Sequence, residues 1–219
     1  MAILDITAKA FQPAPLDRLY TLPAIYEWNA NNNASRPMAR WYNNHEGRIE
    51  ERTWGEGIQI FRRIASQILA KLGPGAGEAV GILATTGTSL HSILQLASFG
   101  LSICIGQMPY WDLFGALVIC GYVPFMISSR NSAEAVEFLL DATKSKHLVV
   151  SNDKLDASRI TCEKLSVGLS LMSDFPADHG DASVKLPSYE HLTLDSPAMI
   201  SHSSGGTSFV YSETVITLL

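Results

Sequence analysis

The 219-residue sequence is poor in charge and in cysteine. Only 17% of the residues are charged and 47% are hydrophobic, which excludes an intrinsically disordered chain and allows a sizeable core. Acidic residues outnumber basic ones by 21 to 16 and no cluster of Lys and Arg occurs, so we expect no nucleic-acid partner. The three cysteines, Cys104, Cys120 and Cys162, form no Cys-x-x-Cys pair, which excludes the common zinc and dithiol motifs.

A secretory signal is also lacking, because no basic segment followed by a long apolar one stands at the start. We therefore expect a cytoplasmic protein, in which the glycosylation sequon Asn33-Ala34-Ser35 has little meaning. The histidines other than His202 show neither metal-ligand nor catalytic-triad spacing. We therefore assign no metal ligand and no catalytic residue.

The middle of the chain has almost no charge. No charged residue stands between Glu78 and Asp112, and none between Asp112 and Arg130. Because this run is long enough for a membrane-spanning helix, a membrane-associated protein that uses residues 90–129 is one alternative. Pro109, the central Asp112 and scattered polar residues argue against it. We favour buried elements of a parallel sheet, which are apolar on both faces.

The order of periodic segments predicts an α/β fold with a largely parallel sheet flanked by helices. Apolar residues at helical spacing predict a helix over 57–72 that ends at Gly73-Pro74, followed by a buried strand over Ala79–Ala84. A second unit runs from a strand over Val123–Ser128 through a helix to a strand over 147–151.

In this second unit the sequence from Asn131 to Glu134 is typical of a capping box that starts the helix. The crossover is expected to be right-handed and to join neighbouring parallel strands. Upstream, residues 1–36 are predicted to be an irregular lead-in, because prolines and asparagines favour turns, and a short extended piece is predicted over 38–42.

A Ser/Gly-rich loop carries the clearest chemical signal. A short apolar strand ends at His202 and leads into Ser203-Ser204-Gly205-Gly206-Thr207-Ser208. Glycines let backbone N–H groups approach a phosphate closely, and small hydroxyls donate further hydrogen bonds. The spacing is not that of a Walker A loop, and a Ser/Gly turn between strands is equally common, so these six residues alone leave both interpretations open.

Several segments together resemble the adenylate-forming (AMP-binding) superfamily of acyl-CoA synthetases, luciferases and peptide-synthetase adenylation domains. The resemblance spans nearly all of residues 18–209 and is greatest to the adenylation domains of fungal adenylate-forming reductases and to related acetyl-CoA synthetase-like proteins. The segments that carry it are Trp54-Gly-Glu56, Val80-Gly-Ile-Leu83, Gly121-Tyr-Val-Pro-Phe125, Ile127-Ser-Ser-Arg-Asn131, His147-Leu-Val-Val-Ser151 and His202-Ser-Ser-Gly-Gly-Thr207.

In enzymes of this superfamily a substrate carboxylate attacks the α-phosphate of ATP, with Mg²⁺ assisting, and gives an acyl-adenylate and pyrophosphate. The acyl group usually passes next to the thiol of CoA or of a phosphopantetheine arm. The resemblance implies a carboxylic-acid substrate and a role for His202 near the adenylate, although a strand-end histidine bonded to backbone is the equal alternative. It also implies that the β- and γ-phosphates are held by Ser203, Ser204, Gly205, Gly206, Thr207 and Ser208.

The sequence departs from the family pattern in three places. No phosphate-facing lysine follows Phe209, residues 93–109 resemble an insertion, and the family's downstream motifs would lie beyond Leu219. The resemblance therefore implies that residues 1–219 are an incomplete N-terminal adenylation domain whose tail, 210–219, departs from the pattern. We hypothesise a truncated gene product with untranslated sequence read through near 93–109 and a change of reading frame after Phe209.

Two classes of function are compatible with these observations besides membrane association. The first is the N-terminal part of an ATP-dependent, carboxylate-activating ligase that is inactive on its own. The alternative is a non-catalytic remnant that binds a nucleotide or a protein partner.

Overall fold

The computed structural model describes residues 10–15, 21–43, 47–85, 108–188, 192–193 and 195–202. The candidate loop, Cys104 and most of the suspected insertion lie outside these ranges. The helices and strands, in chain order, are α1 (Leu22–Asn32), β1 (Pro37–Asn43), β2 (Arg48–Thr53), α2 (Trp54–Leu72), β3 (Ala79–Ala84), α3 (Met108–Ile119), β4 (Val123–Ser128), α4 (Ala133–Ala142), β5 (His147–Val150), α5 (Leu155–Leu165), β6 (Gly168–Leu171) and β7 (Ile200–Ser201).

The larger of the two sheets confirms the predicted α/β fold. Its five strands are all parallel and lie in the order β6-β5-β3-β4-β7. The prediction that the strands at 123–128 and 147–151 are neighbours is wrong, because β3 lies between them. All six residues of β3 are buried, and a strand buried in this way needs a hydrogen-bonded neighbour along each edge.

Helices cover both faces of this sheet. On one face α2 and α3 pack against side chains such as Val80, Ile82 and Met126. On the other, α4 and α5 pack against side chains such as Leu83, Phe125 and Ile127. The chain therefore crosses from β3 to β4 over one face and from β4 to β5 over the other, as right-handed crossovers in opposite directions require.

Part of the charge-poor run is accounted for by this core. α3 and β4 contribute some of its most buried side chains, including those of Leu117, Ile119 and Phe125. Cys120 and Cys162 are buried free thiols that pack as small apolar side chains, and burial raises the pKa of Cys120 to about 12. Among the described residues, no helix has the length and hydropathy needed to cross a membrane.

The lead-in is not irregular throughout, because α1 occupies Leu22–Asn32. Pro23 stands in the first turn, where its missing N–H costs nothing. Asn29 and Asn32 were expected to favour turns, but their side-chain amides donate to the carbonyl oxygens four residues earlier at 3.0 and 2.9 Å. The polar side chains therefore bond within the helix instead of breaking it.

The helix α2 begins one turn earlier than the spacing of apolar residues predicts. Thr53 Oγ1 accepts a hydrogen bond from the backbone N–H of Glu56 at 3.3 Å, and the Glu56 carboxylate accepts one from the Thr53 N–H at 2.8 Å. This capping box satisfies two donors at the helix start, and its hydrogen bonds to Thr53 lower the pKa of Glu56. The helix ends at Gly73, where φ is 82°, as predicted.

The antiparallel hairpin formed by β1 and β2 is attached to the core through an ion pair. Arg52 on β2 contacts Asp112 on α3, and its guanidinium also lies over the ring of Trp41, 5.5 Å from the centroid. The Asp112 side chain is only 3% exposed. Burial raises the pKa of Asp112 to about 6, and the attraction of Arg52 offsets this only in part.

We expect this burial to give Asp112 a pH-dependent effect on stability. The folded pKa lies above the unfolded one, so the folded chain holds more protons between about pH 4 and 6, and Asp112 costs stability as pH rises through that window. Asp112→Asn cannot ionise. The free energy of unfolding of this variant, minus that of the original chain, should therefore rise by up to about 3 kcal/mol from pH 4 to 7.

The measurement is urea denaturation at several pH values between 4 and 7. Asp156→Asn is the matched control for the loss of one carboxylate, because the Asp156 side chain is 98% exposed. A difference that falls with pH for Asp112→Asn would show that attraction to Arg52 outweighs burial.

Candidate functional site

The carboxyl ends of the five parallel strands lie along one edge of the large sheet. This edge carries Thr85 after β3, Ser128 at the end of β4, Ser151 after β5 and His202 after β7. β3 and β4 are neighbours, and the helices that come after them in the chain, α3 and α4, lie on opposite faces of the sheet. Open α/β sheets bind ligands at such a switch point, outside the carboxyl ends of the strands.

His202 lies at this edge, beside the end of β4. The short strand β7 pairs with β4 through Phe125 with Ile200 and Met126 with Ser201. The His202 Nε2 atom accepts a hydrogen bond from the backbone N–H of Ser128 at 3.0 Å. Its ring meets the ring of Phe125 edge to face, with the centroids 6.3 Å apart. His202 is thus a strand-end histidine bonded to backbone, which was one of the two interpretations of this residue.

A second polar group approaches the same ring nitrogen. The side-chain amide nitrogen of Asn131 lies 3.3 Å from His202 Nε2. Because a backbone N–H can only donate, Nε2 must act as an acceptor, and an amide NH₂ facing it is then a second donor. The neutral imidazole that fits this arrangement carries its proton on Nδ1.

The contact of Asn131 was not found by sequence reasoning, which placed this residue at the cap of the following helix. The structure corrects that assignment. The cap of α4 is Ser132, whose hydroxyl accepts a hydrogen bond from the backbone N–H of Ala135 at 3.3 Å. Both residues are polar and stand just before the helix, so their order alone does not identify the cap.

A separate polar network joins the ends of β3 and β5. The Asp153 carboxylate accepts hydrogen bonds from the hydroxyls of Ser151 and Thr85, and the Thr85 backbone N–H donates to the Ser151 hydroxyl at 3.2 Å. Bonding to Ser151 and Thr85 lowers the pKa of Asp153. The sequence signal that could have found this network is a polar residue directly after each apolar strand. The three side chains bond to one another, so we assign them no ligand.

The remaining predicted site residues lie outside the described part of the chain. They are Ser203, Ser204, Gly205, Gly206, Thr207 and Ser208. The structure therefore places only the residue that leads into the loop. Within the ranges that the structure describes, no three His, Cys, Asp or Glu residues are grouped as metal ligands.

Comparison with known proteins agrees with this architecture. The adenylate-forming reductase Nps10 of Heterobasidion annosum is 28% identical over 217 residues, covering 92% of this chain and 19% of that protein. The predicted resemblance to adenylate-forming enzymes is confirmed. The chain spans about a fifth of the length of this curated relative. No family model matches the chain.

Solved structures of two adenylate-forming enzymes share the fold. The o-succinylbenzoate CoA synthetase MenE from Bacillus subtilis, in complex with its acyl-adenylate intermediate, superposes with a TM-score of 0.61 and 14% identity over 84% of this chain and 40% of that one. ATP-bound MatB from Rhodopseudomonas palustris superposes with a TM-score of 0.57 and 16% identity over 80% and 31% of the two chains. The fold is therefore that of the N-terminal domains of AMP-binding enzymes, of which this chain covers a part.

Proposed function

We propose that this chain is part of an ATP-dependent ligase that activates a carboxylic acid as its acyl-adenylate. The observation that carries the proposal is the position of His202. His202 lies at the carboxyl ends of the strands, next to the end of β4. The Ser/Gly-rich loop follows it directly in the sequence. Parallel α/β sheets bind their ligands at the carboxyl ends of their strands. The adenylate-forming relatives support the proposed reaction, since MatB was solved with ATP and MenE with an acyl-adenylate.

In the proposed reaction an oxygen of the substrate carboxylate attacks the α-phosphorus of ATP. The bond between this phosphorus and the bridging oxygen breaks, and the electron pair leaves with pyrophosphate. The loop Ser203-Ser204-Gly205-Gly206-Thr207-Ser208 would hold the β- and γ-phosphates through backbone N–H groups and hydroxyls. It would thereby stabilise the charge that develops on pyrophosphate as it leaves.

The backbone N–H groups and hydroxyls of this loop suit a phosphate, whereas a carboxylate, the usual protein ligand of Mg²⁺, is absent from it. The other ligands of Mg²⁺ are waters and substrate phosphates. We therefore propose that Mg²⁺ enters with the nucleotide and name no residue of this chain as its ligand. CoA or a phosphopantetheine arm as acyl acceptor, and a cytoplasmic location, are expectations from the family resemblance alone.

We also propose that the 219 residues alone do not catalyse this reaction. They cover 31–40% of the two solved enzymes compared above, and no lysine follows the loop at the position where the family pattern has one. Removing one group that stabilises developing charge typically costs about 10² to 10³ in rate. The loss of several such groups would leave little turnover.

One prediction of the proposed function concerns phosphate binding. Removing the hydroxyls of Ser204 and Thr207 together, as Ser204→Ala with Thr207→Ala, should weaken binding of ATP and of pyrophosphate by at least about tenfold, because two hydrogen bonds to a charged group are lost. Isothermal titration calorimetry with each ligand measures the change. Ser183→Ala with Thr193→Ala is the matched control, since both residues are exposed and lie outside the loop. Equal affinity in all three chains would contradict the proposed phosphate site.

Another prediction of the proposed function concerns turnover. In a carboxylate-dependent pyrophosphate-exchange assay, the 219-residue chain should incorporate labelled pyrophosphate into ATP no faster than a sample without protein. A complete adenylate-forming enzyme with its own acid is the positive control. Robust exchange by this chain would contradict the proposal that the groups needed for turnover lie outside it.

A further inference from the structure

We propose that Asn131 is a positioning residue that fixes the tautomer and orientation of His202 at the entrance to the phosphate loop. The inference rests on the proposed function, because it gives Asn131 a part in forming the same phosphate site. It assigns the role to a side chain on the β4–α4 connection, whereas the loop itself follows β7.

The strand that leads into the loop, β7, pairs with β4 in the described part of the chain. Among the described residues, two register pairs join β7 to the sheet, Phe125 with Ile200 and Met126 with Ser201. The next anchor along the chain is the side chain of His202, which reaches across to the segment after β4. The imidazole is therefore the last described contact that ties the chain to the sheet before the loop begins.

The chemistry of the contact specifies one form of the ring. The backbone N–H of Ser128 donates to Nε2, and the amide of Asn131 adds a second donor to the same nitrogen. The alternative tautomer carries its proton on Nε2, so its N–H would point at the two N–H donors of Ser128 and Asn131 with no acceptor to receive it. Ser128 and Asn131 thus act together to keep the proton on Nδ1.

Asn131 is itself well placed for this task. Its backbone N–H donates to the Ser128 carbonyl at 3.1 Å, which closes a turn and sets the direction of the side chain. The cap of α4 is supplied by Ser132, so the side chain of Asn131 has no part in starting the helix. Replacement of Asn131 should therefore change the contact with His202 and leave the helix in place.

The experiment compares the 219-residue chain with Asn131→Ala, Asn131→Asp and the control Asn152→Ala. Asn152 is an exposed asparagine that follows the neighbouring strand β5. The first readout is the pair of ¹⁵N chemical shifts of the His202 ring, assigned with the variant His202→Gln. The second is the dissociation constant for ATP and for pyrophosphate, with far-ultraviolet circular dichroism as the check on folding.

We expect the original chain and Asn152→Ala to show the shifts of a ring protonated on Nδ1. Asn131→Ala should shift toward a mixture of tautomers and bind both ligands about threefold to tenfold more weakly, which is the worth of one net hydrogen bond. Asn131→Asp should move the ring further, because a carboxylate only accepts and draws a proton onto Nε2 against the Ser128 N–H.

Ring shifts that are unchanged in both Asn131 variants would overturn the inference, as would changed shifts with unchanged affinity for ATP and pyrophosphate. These outcomes are distinct from failure of the proposed function. If the original chain binds neither ligand, the phosphate site is refuted and Asn131 has no role in it, whatever the ring shifts show.

Discussion

The complete burial of β3 is the constraint on which the arrangement of the other elements depends. A strand with all six residues buried must pair along both edges and be covered on both faces. β4 and β5 supply the two edges, and the helices α2 and α3 on one side and α4 and α5 on the other supply the two covers. β4 is added to the sheet on one side of β3 and β5 on the other, so the direction in which the chain adds strands across the sheet reverses after β4. That reversal creates the switch point beside which β7 ends.

The charge-poor run illustrates how a buried protein core and a membrane segment differ in their polar requirements. Asp112 is buried in the described part of this run, and a carboxylate there is tolerated only with a partner. Arg52 provides that partner from the hairpin, so the one charge in the run specifies where β1 and β2 attach. A hydropathy average over a window of residues does not register the single residue Asp112. Its ion pair with Arg52 joins residues that are far apart in the sequence, so it can be seen only in the folded chain.

The sequence predicted the strands β3 and β4 to the residue, because an apolar run bounded by Gly, Pro or polar residues has little freedom to shift. It failed where the outcome depends on side-chain hydrogen bonds. The asparagines of α1 bond within the helix, the capping box of α2 adds a turn at Thr53, and Ser132 displaces Asn131 as the cap of α4. The prediction that β5 is the neighbour of β4 was also wrong, because β3 lies between them. Strand order depends on which strand pairs along both of its edges. The order of elements along a chain does not contain that information.

The two interpretations of His202 that the sequence left open are not alternatives once the geometry is considered. A histidine whose Nε2 faces two donors, the Ser128 backbone N–H and the Asn131 amide, has a defined tautomer and a defined ring plane. Those are the properties that a group beside a reaction site needs, because a ring free to rotate would present either nitrogen. A structural hydrogen bond to Nε2 is therefore compatible with the functional role proposed for this residue. The same reasoning extends to Asn131, which appears in the sequence as one polar residue among several before a helix and becomes informative only through the nitrogen it faces.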